Sequence, residues 1–456
     1  MKKIFYEPTN VVMTTERIKK YIEIFKYKYL PRLQKLKRYY NNEADILYRE
    51  FKDITKPNHK ISVSFSDLVS NISTNYFIGK PVSYNATDEN LLADLNNIYR
   101  FNDEQTTNNT IALNQSIYGY GLEVIYLDDN SNVRFTPIDV ENTILIFDNT
   151  LEKNLIYAIR YFEEMDILTN KTKLFIELYS ETEIKYYVET EGVSILSEAR
   201  EHYFRNCPIN IYRNNIDEIG DFEKVIPLID AYNLACSDSA NEQEAFNEAY
   251  LVFKNTDLDN DKIVVMKETR NIVIENAQDG AEASVDFLIK NGNPTEAEAN
   301  KQRIANDIHK LTFINDMSGD GQKSHTSSAG AQLGLLGLEQ VMARKEAFFR
   351  FGLTRRIEII CELLNIKGNN YNFRDVSIVF SKNVPIDNVV VADTVSKLRG
   401  LVSDETLLSQ LPFIQDIEVE KERLAKQNEL NSYSNIFNDM TDMLNGENNN
   451  NGEVNE

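Results

Sequence analysis

The chain has 456 residues, 42% of them hydrophobic, and its 49 Lys/Arg against 71 Asp/Glu leave a formal net charge of -22. That apolar share supports a sizeable core spread over roughly two to four structural units, which excludes a disordered polymer, and the acidic balance argues against tight, unselective wrapping of nucleic acid. Cys207, Cys236 and Cys361 lie far apart with no CxxC or Cys/His ligand spacing, so reduced thiols are expected and no disulfide framework is implied. The amino end is basic but has no apolar run before Glu16, and no stretch reaches 18 consecutive apolar residues, so neither secretion nor membrane spanning is expected.

In chain order, residues 14–50 read as helices broken at Pro31, with Thr14 or Thr15 as the cap and Tyr, Ile and Leu on one face. A second helical stretch, "SDLVSNISTNYFIGKPVSY", ends at Gly79 and Pro81. From Tyr118 the pattern turns to short β-branched and aromatic runs separated by Asn, Asp and Gly, from "GYGLEVIYLDD" to "YFRNCPINIYRN", which predicts a mainly antiparallel sheet. Asp128 to Asn132 is a hairpin signal, since Asn and Asp tolerate left-handed turn positions. Residues 222–252 return to helix, "DKIVVMKE" and "NIVIEN" read as short strands, and Thr295 to Phe313 is a further helix opened by Pro294 and by acids that suit the helix dipole. A strand in "RDVSIVFSK" precedes helical residues up to Leu430, and the Asn/Glu-rich end from residue 445 has little to bury and is expected to be disordered.

The sharpest contrast lies between Ser318 and Leu364. A polar stretch with no apolar anchor between Met317 and Ala329 gives way to Leu335, Leu338, Met342, Phe349, Leu353, Ile357, Ile360 and Leu364, spaced by three and four except for one gap of seven across Lys345 and Glu346. The spacing predicts one helix on the order of 50 Å long, and Gly334, Gly337 and Gly352 within it imply kinks or the close approach of another helix.

Sites for chemistry are few. "GDGQKS" from Gly319 has Gln322 where a phosphate-binding loop needs glycine before its lysine, and a helix rather than a strand precedes it. Asp257, Asp259, Asp261 and Glu268 match oxygen-ligand positions of a calcium loop, but Lys262 stands where the sharp turn wants glycine and strand follows, so a solvated acidic turn is the reading, with calcium the alternative. His59, His202, His309 and His325 are scattered. No catalytic residue, cofactor or resident metal is expected, and the chain does not read as an enzyme. Residues 1–40 hold 11 Lys/Arg against three acids, whereas residues 415–456 hold ten acids against three bases. This reads as solvated helix faces, or else as contact with subunits or other components.

Four segments carry a resemblance: "NISTNYFIGKPVSY", "IYGYGLEVIYLDDNSNVRFTPIDVENTILIFDNT…AIRYF", "VIPLIDAYNLACSDSANEQEAFNEAYLV" and "GLVSDETLLSQLPFIQDIEVEKERLAK". In this order they resemble the portal proteins of long-tailed double-stranded DNA bacteriophages. The resemblance implies an α+β portal fold: an α/β wing over 1–221, a stem helix over 222–252, a small β-containing clip over 253–293, a second stem helix over 294–314, a tunnel loop over 315–331, a long tunnel-side helix and return strand over 332–383, and a helical crown over 384–444. It further implies a homo-oligomeric ring, a dodecamer, at one capsid vertex of the virion, assembled in the host cytoplasm. The ring would pass double-stranded DNA through weak, sequence-independent contacts during packaging and ejection. Its partners would be the terminase large subunit, a head-completion or adaptor protein, and the major capsid and scaffolding proteins, with no membrane involved. Ser318, Lys323, Ser324, His325 and Thr326 would then be the loop groups offered to DNA. Arg344, Lys345, Arg350, Arg355 and Arg356 would pair with acids of a neighbouring subunit. An acidic wall with sparse basic groups suits a passage, because each phosphate neutralised by Lys or Arg adds affinity that retards sliding. The alternative is a nonviral α+β scaffold or interaction protein with a long helical hairpin.

Overall fold

The computed structural model describes residues 5–53, 56–165, 167–168, 170–190, 193–247, 250–254, 264, 284–288, 294–316, 328–381, 388–409, 411, 414, 420–421 and 423–429. The chain divides into two compact units, 1–383 and 384–456.

In the first unit, the Thr14 side chain accepts the Arg17 N–H and opens helix α1 (Thr15–Lys28), which buries Ile18, Tyr21, Ile22 and Phe25. Pro31 lies in the first turn of α2 (Leu30–Tyr40), where its missing N–H costs nothing. Helix α3 (Phe65–Ile78) stops at Gly79 as its sequence predicts. Two helices follow that the sequence reading passed over. These are α4 (Glu89–Phe101), capped by the Asp88 carboxylate, and α5 (Glu104–Tyr118), which leaves helical geometry at Gly119 with φ +90°. A Cβ at Gly119 would stand 2.0 Å from the Glu218 carbonyl oxygen, so glycine is required there on both counts.

The expected antiparallel sheet is two sheets. In one, β10 (Ile209–Arg213), β3 (Tyr120–Leu127) and β4 (Val133–Ile138) lie side by side, all antiparallel. The β3–β4 turn is held by the Asp128 carboxylate, which accepts the Asn130 and Asn132 N–H groups, with Ser131 at φ +60°. The other runs β1 (Phe5–Glu7), β5 (Thr143–Asp148), β6 (Leu155–Met165), β7 (Thr172–Tyr179), β8 (Glu183–Thr190) and β9 (Val193–Glu201). Strand β1 is parallel to β5 and the rest are antiparallel. Neither β1 nor β9 was legible, since β1 is three residues long and β9 is exposed from Ile195 to Glu201, without the alternation that a half-buried strand shows.

Helix α6 (Ile226–Asn247) is shorter than the predicted 222–252, because Tyr250–Lys254 forms strand β11, antiparallel to β12 (Ser284–Leu288). The β-branched and aromatic run Tyr-Leu-Val-Phe favours the extended state. Helix α6 packs on α7 (Pro294–Thr312). Helix α8 (Ser328–Ile366) spans 39 residues, longer than anticipated, and packs on β10, as α5 does on β3. Gly352 permits this, because a Cβ there would lie 2.3 Å from the Tyr212 ring, and Gly337 likewise faces Phe313. The close approach is therefore to a strand at Gly352 and to the turn after α7 at Gly337, rather than to another helix. Strand β13 (Val376–Val379) returns to pair antiparallel with β2 (Ser83–Ala86), with Ser377 opposite Asn85.

The second unit holds α9 (Asn388–Leu398) and α10 (Asp404–Ser409), with a Lys421–Glu405 ion pair of 3.3 Å. No described helix is long and apolar enough to cross a membrane.

Candidate functional site

Helix α8 buries Leu338, Met342, Phe349, Leu353, Ile357, Ile360 and Leu364, the face its spacing predicts. The seven-residue gap in that face is occupied by Lys345, which is 1% exposed. Its Nζ lies 2.7 Å from Asp221 Oδ2 and donates to the Ser73 hydroxyl. The same carboxylate accepts hydroxyl hydrogens from Ser73 and Ser116, each at 2.6 Å, and Nδ2–H of Asn214 at 2.7 Å. Burial by itself pushes the Asp221 carboxyl up, but the Lys345 ammonium and these donors outweigh it and hold the group below its ordinary value. Side chains from α3, α5, α8 and the approach to α6 thus meet at one charge pair.

Three turns further along, Arg356 is fully buried. Its Nη2 lies 2.6 Å from Glu123 Oε1 on β3 and its Nη1 3.4 Å from Glu104 at the start of α5, while the guanidinium covers the Phe135 ring at 4.4 Å. Tyr212 donates to Glu123 at 2.9 Å, Asn108 donates to Glu104 at 2.7 Å, and the Tyr84 hydroxyl also donates to Glu104. Burial opposes the Arg356 charge, yet Glu123 and its neighbours keep it protonated. Burial pushes the Glu104 carboxyl up.

These two nodes correct the expectation for Lys345 and Arg356, whose acids come from their own chain because both side chains point into the core. Arg350 pairs with Glu346 and donates to the Ile378 carbonyl, Arg355 pairs with Glu358 at 2.6 Å, and Arg344 is exposed. The basic amino-terminal helices also spend much of their charge internally: Arg17 on Glu7, Lys19 on Glu189, Lys26 on Glu163, and Arg32 on Glu223 at 2.7 Å.

The loop candidates Ser318, Lys323, Ser324, His325 and Thr326 and the calcium candidates Asp257, Asp259, Asp261 and Glu268 lie outside the described residues. His59 contacts Glu244 at 2.6 Å, His202 Nε2 the Ser180 carbonyl at 3.0 Å, and His309 Nδ1 the Ile314 carbonyl at 3.0 Å. Among the described residues no group of three or more His, Cys, Asp or Glu could hold a metal ion. Burial raises the Cys207 and Cys361 thiols to about 12, far from a reactive thiolate.

Sequence reasoning missed the partners, Glu104, Glu123 and Asp221. Glu123 carried a usable signal: it is the one charge in the run Tyr120 to Leu127, and a lone acid in such a strand requires a buried partner.

Among the described residues, these charged groups join α8 to α5, to β3 and to the approach to α6 within the first unit. Residues 18–432 match the family described as Phage portal protein, SPP1 Gp6-like, and the chain belongs to that family. The portal protein of Bacillus phage SPP1 is 24% identical to it over 430 residues, covering 90% of this chain and 83% of that one. The portal protein of Clostridium phage phiCD119 is 21% identical over 440 residues, covering 89% and 95%. The resemblance seen in the four segments is borne out at the level of the family, and the chain is a structural component of a phage virion. The nonviral scaffold alternative falls.

Proposed function

We propose that copies of this chain close into a ring, a dodecamer, at one capsid vertex, and that double-stranded DNA passes through it on packaging and ejection. The family match across residues 18–432 carries this reading. Unlike surfaces repeated head to tail close into a ring when the rotation permits. The ring would form in the host cytoplasm among scaffolding and major capsid proteins, dock the terminase large subunit while DNA enters, and later hold a head-completion or adaptor protein. In this reading, 1–221 is the wing, α6 and α7 are the stem, the β11–β12 ladder between them belongs to the clip, and residues from Val384 are the crown. Support comes from the antiparallel ladder inserted between two packed helices and from the compact unit that begins at Val384. Arg344, Arg350 and Arg355 remain candidates for contact with a neighbouring copy.

Native mass measurement at micromolar protein and physiological salt should give a closed oligomer, and a stable monomer would overturn the ring.

Helix α8 already begins at Ser328, so the expected loop over 315–331 is shortened to residues 315–327, which are proposed as the tunnel loop with Ser318, Lys323, Ser324, His325 and Thr326 facing DNA. Replacing Ser318–Ser328 by a short Gly/Ser link should leave rings intact, because the buried face of α8 from Leu338 onward is untouched, while the DNA content of assembled heads falls sharply. Changing only Lys323 and His325 to alanine should act more mildly, since exposed charge contacts are each worth within ~1 kcal/mol. Normal DNA content with the loop replaced would sink the tunnel assignment, and loss of rings would move these residues to a subunit interface.

A further inference from the structure

Helix α6 is held in two different ways along its length. At its base the attachment is charged and enclosed: Asp221 is locked to Lys345, and Glu223 accepts from Arg32 and from the Gly220 N–H. The turn leading there is equally constrained, with Glu218 at φ +54° and Gly220 so placed that a Cβ would lie 2.4 Å from the Ile117 carbonyl oxygen.

Further along, the attachment is a ladder of neutral hydrogen bonds to an extended segment. The backbone N–H of Val63 donates to Asn233 Oδ1 at 3.0 Å, that of Ile61 to Ser237 Oγ at 2.9 Å, and that of His59 to Asn241 Oδ1 at 2.7 Å. The segment advances by two as the helix goes back by four. An extended chain rises about 6.6 Å in two residues, and a helix about 6.0 Å in four, so the two repeats match over three rungs. Arg49–Asp238 and His59–Glu244 close the far end. The polar stripe at 233, 237 and 241 is thereby explained, since it reads main chain rather than water.

This second attachment is enclosed at its inner rungs, where Asn233 and Ser237 are fully buried, and open to solvent at its outer end. Lys56, His59, Lys60 and Ile61 are exposed, Ile61 at 37%, and the acids Asp238 and Glu244 are about half exposed. Segments with few buried apolar groups and solvent-reachable hydrogen bonds open at lower cost than the core. We infer that residues 58–63 are a releasable strap that sets the position of the distal half of α6, while the Asp221–Lys345 pair keeps its base fixed. Helix α6 ends at Asn247, three residues before β11, so covalent continuity passes any shift of its distal half to the β11–β12 ladder. The inference rests on these bonds and not on the ring or tunnel readings.

Hydrogen exchange on the full-length assembled protein tests it. Ile61→Pro removes the middle donor while keeping an extended backbone, and should speed exchange of the amides of residues 238–247 by at least about tenfold, with β5 to β8 unchanged. Lys60→Pro, which removes an N–H from the alternate side of the segment, should leave α6 as in the native chain. Ser237→Ala with Asn241→Ala removes acceptors from the helix side and should reproduce the Ile61→Pro pattern, which keeps the test valid if the proline variant does not fold. Unchanged exchange in residues 238–247 in the acceptor variant would overturn the strap. Faster exchange shared equally by the sheets would overturn it too, because the segment would then be part of the general stability of the unit.

Discussion

Arg356→Ala is expected to destabilise the first unit by about 3–5 kcal/mol, the usual cost of removing one partner from a buried ion pair. The loss has a specific origin. Glu123 is fully buried and would be left with only Tyr212 and Asn210 donating to it, while Glu104 would lose its cation. Urea unfolding followed by tyrosine fluorescence reads the change. Arg356→Met combined with Glu123→Gln and Glu104→Gln should recover a large part of it, because a neutral core of similar volume does not strand a charge. A single-variant loss below about 1 kcal/mol would show that the buried pair contributes little to the stability of the unit.

Lys345→Met should cost a similar amount, about 3–5 kcal/mol, and it carries a pH signature. The Asp221 carboxyl is held below its ordinary value, so the native state binds this proton more weakly than the unfolded chain does. The stability it contributes is full above about pH 4, the unfolded carboxylate value, and is lost as pH falls through the depressed native value. In the native chain, stability should therefore drop on acidification below about pH 4. In Asp221→Asn that acid-sensitive part should be absent, at the expense of a lower plateau near neutrality. Parallel pH profiles for the two proteins would remove Asp221 from the account. Because Lys345 also reaches the element that leads into α6, the Lys345→Met variant should loosen the base of that helix.

The gap in the α8 pattern shows how much of this could be read beforehand. Leu338, Met342, Phe349 and Leu353 identify the buried face by spacing alone, and the gap between Met342 and Phe349 falls where Lys345 supplies the missing step of three and four. The periodicity located Lys345 on the core side, yet its charge suggested a neighbouring subunit. Deciding between these needed Asp221, which lies 124 residues away and comes close only when α3, α5 and the approach to α6 are packed. Glu123 repeats the lesson, for it is a lone charge in an apolar run and its partner Arg356 is distant in sequence.

Local chemistry determined what depends on a few neighbouring residues. Thr14 caps α1, Pro31 starts α2, Gly79 ends α3, and Asp128 closes the β3–β4 turn, because each effect is completed within about four residues. The long α8 helix and the family were legible for a related reason, since a sustained 3.6-residue period and four segments in order survive without knowledge of contacts. Tertiary structure alone decided the rest. It paired β1 with β5 and β13 with β2, divided the strands between two sheets, and ended α6 at Asn247 so that Tyr250 could join β12. It also made Asn233, Ser237 and Asn241 a set of acceptors for residues 59–63. A hydrogen bond or ion pair has a partner, and where that partner lies far along the chain the sequence holds only one half of it.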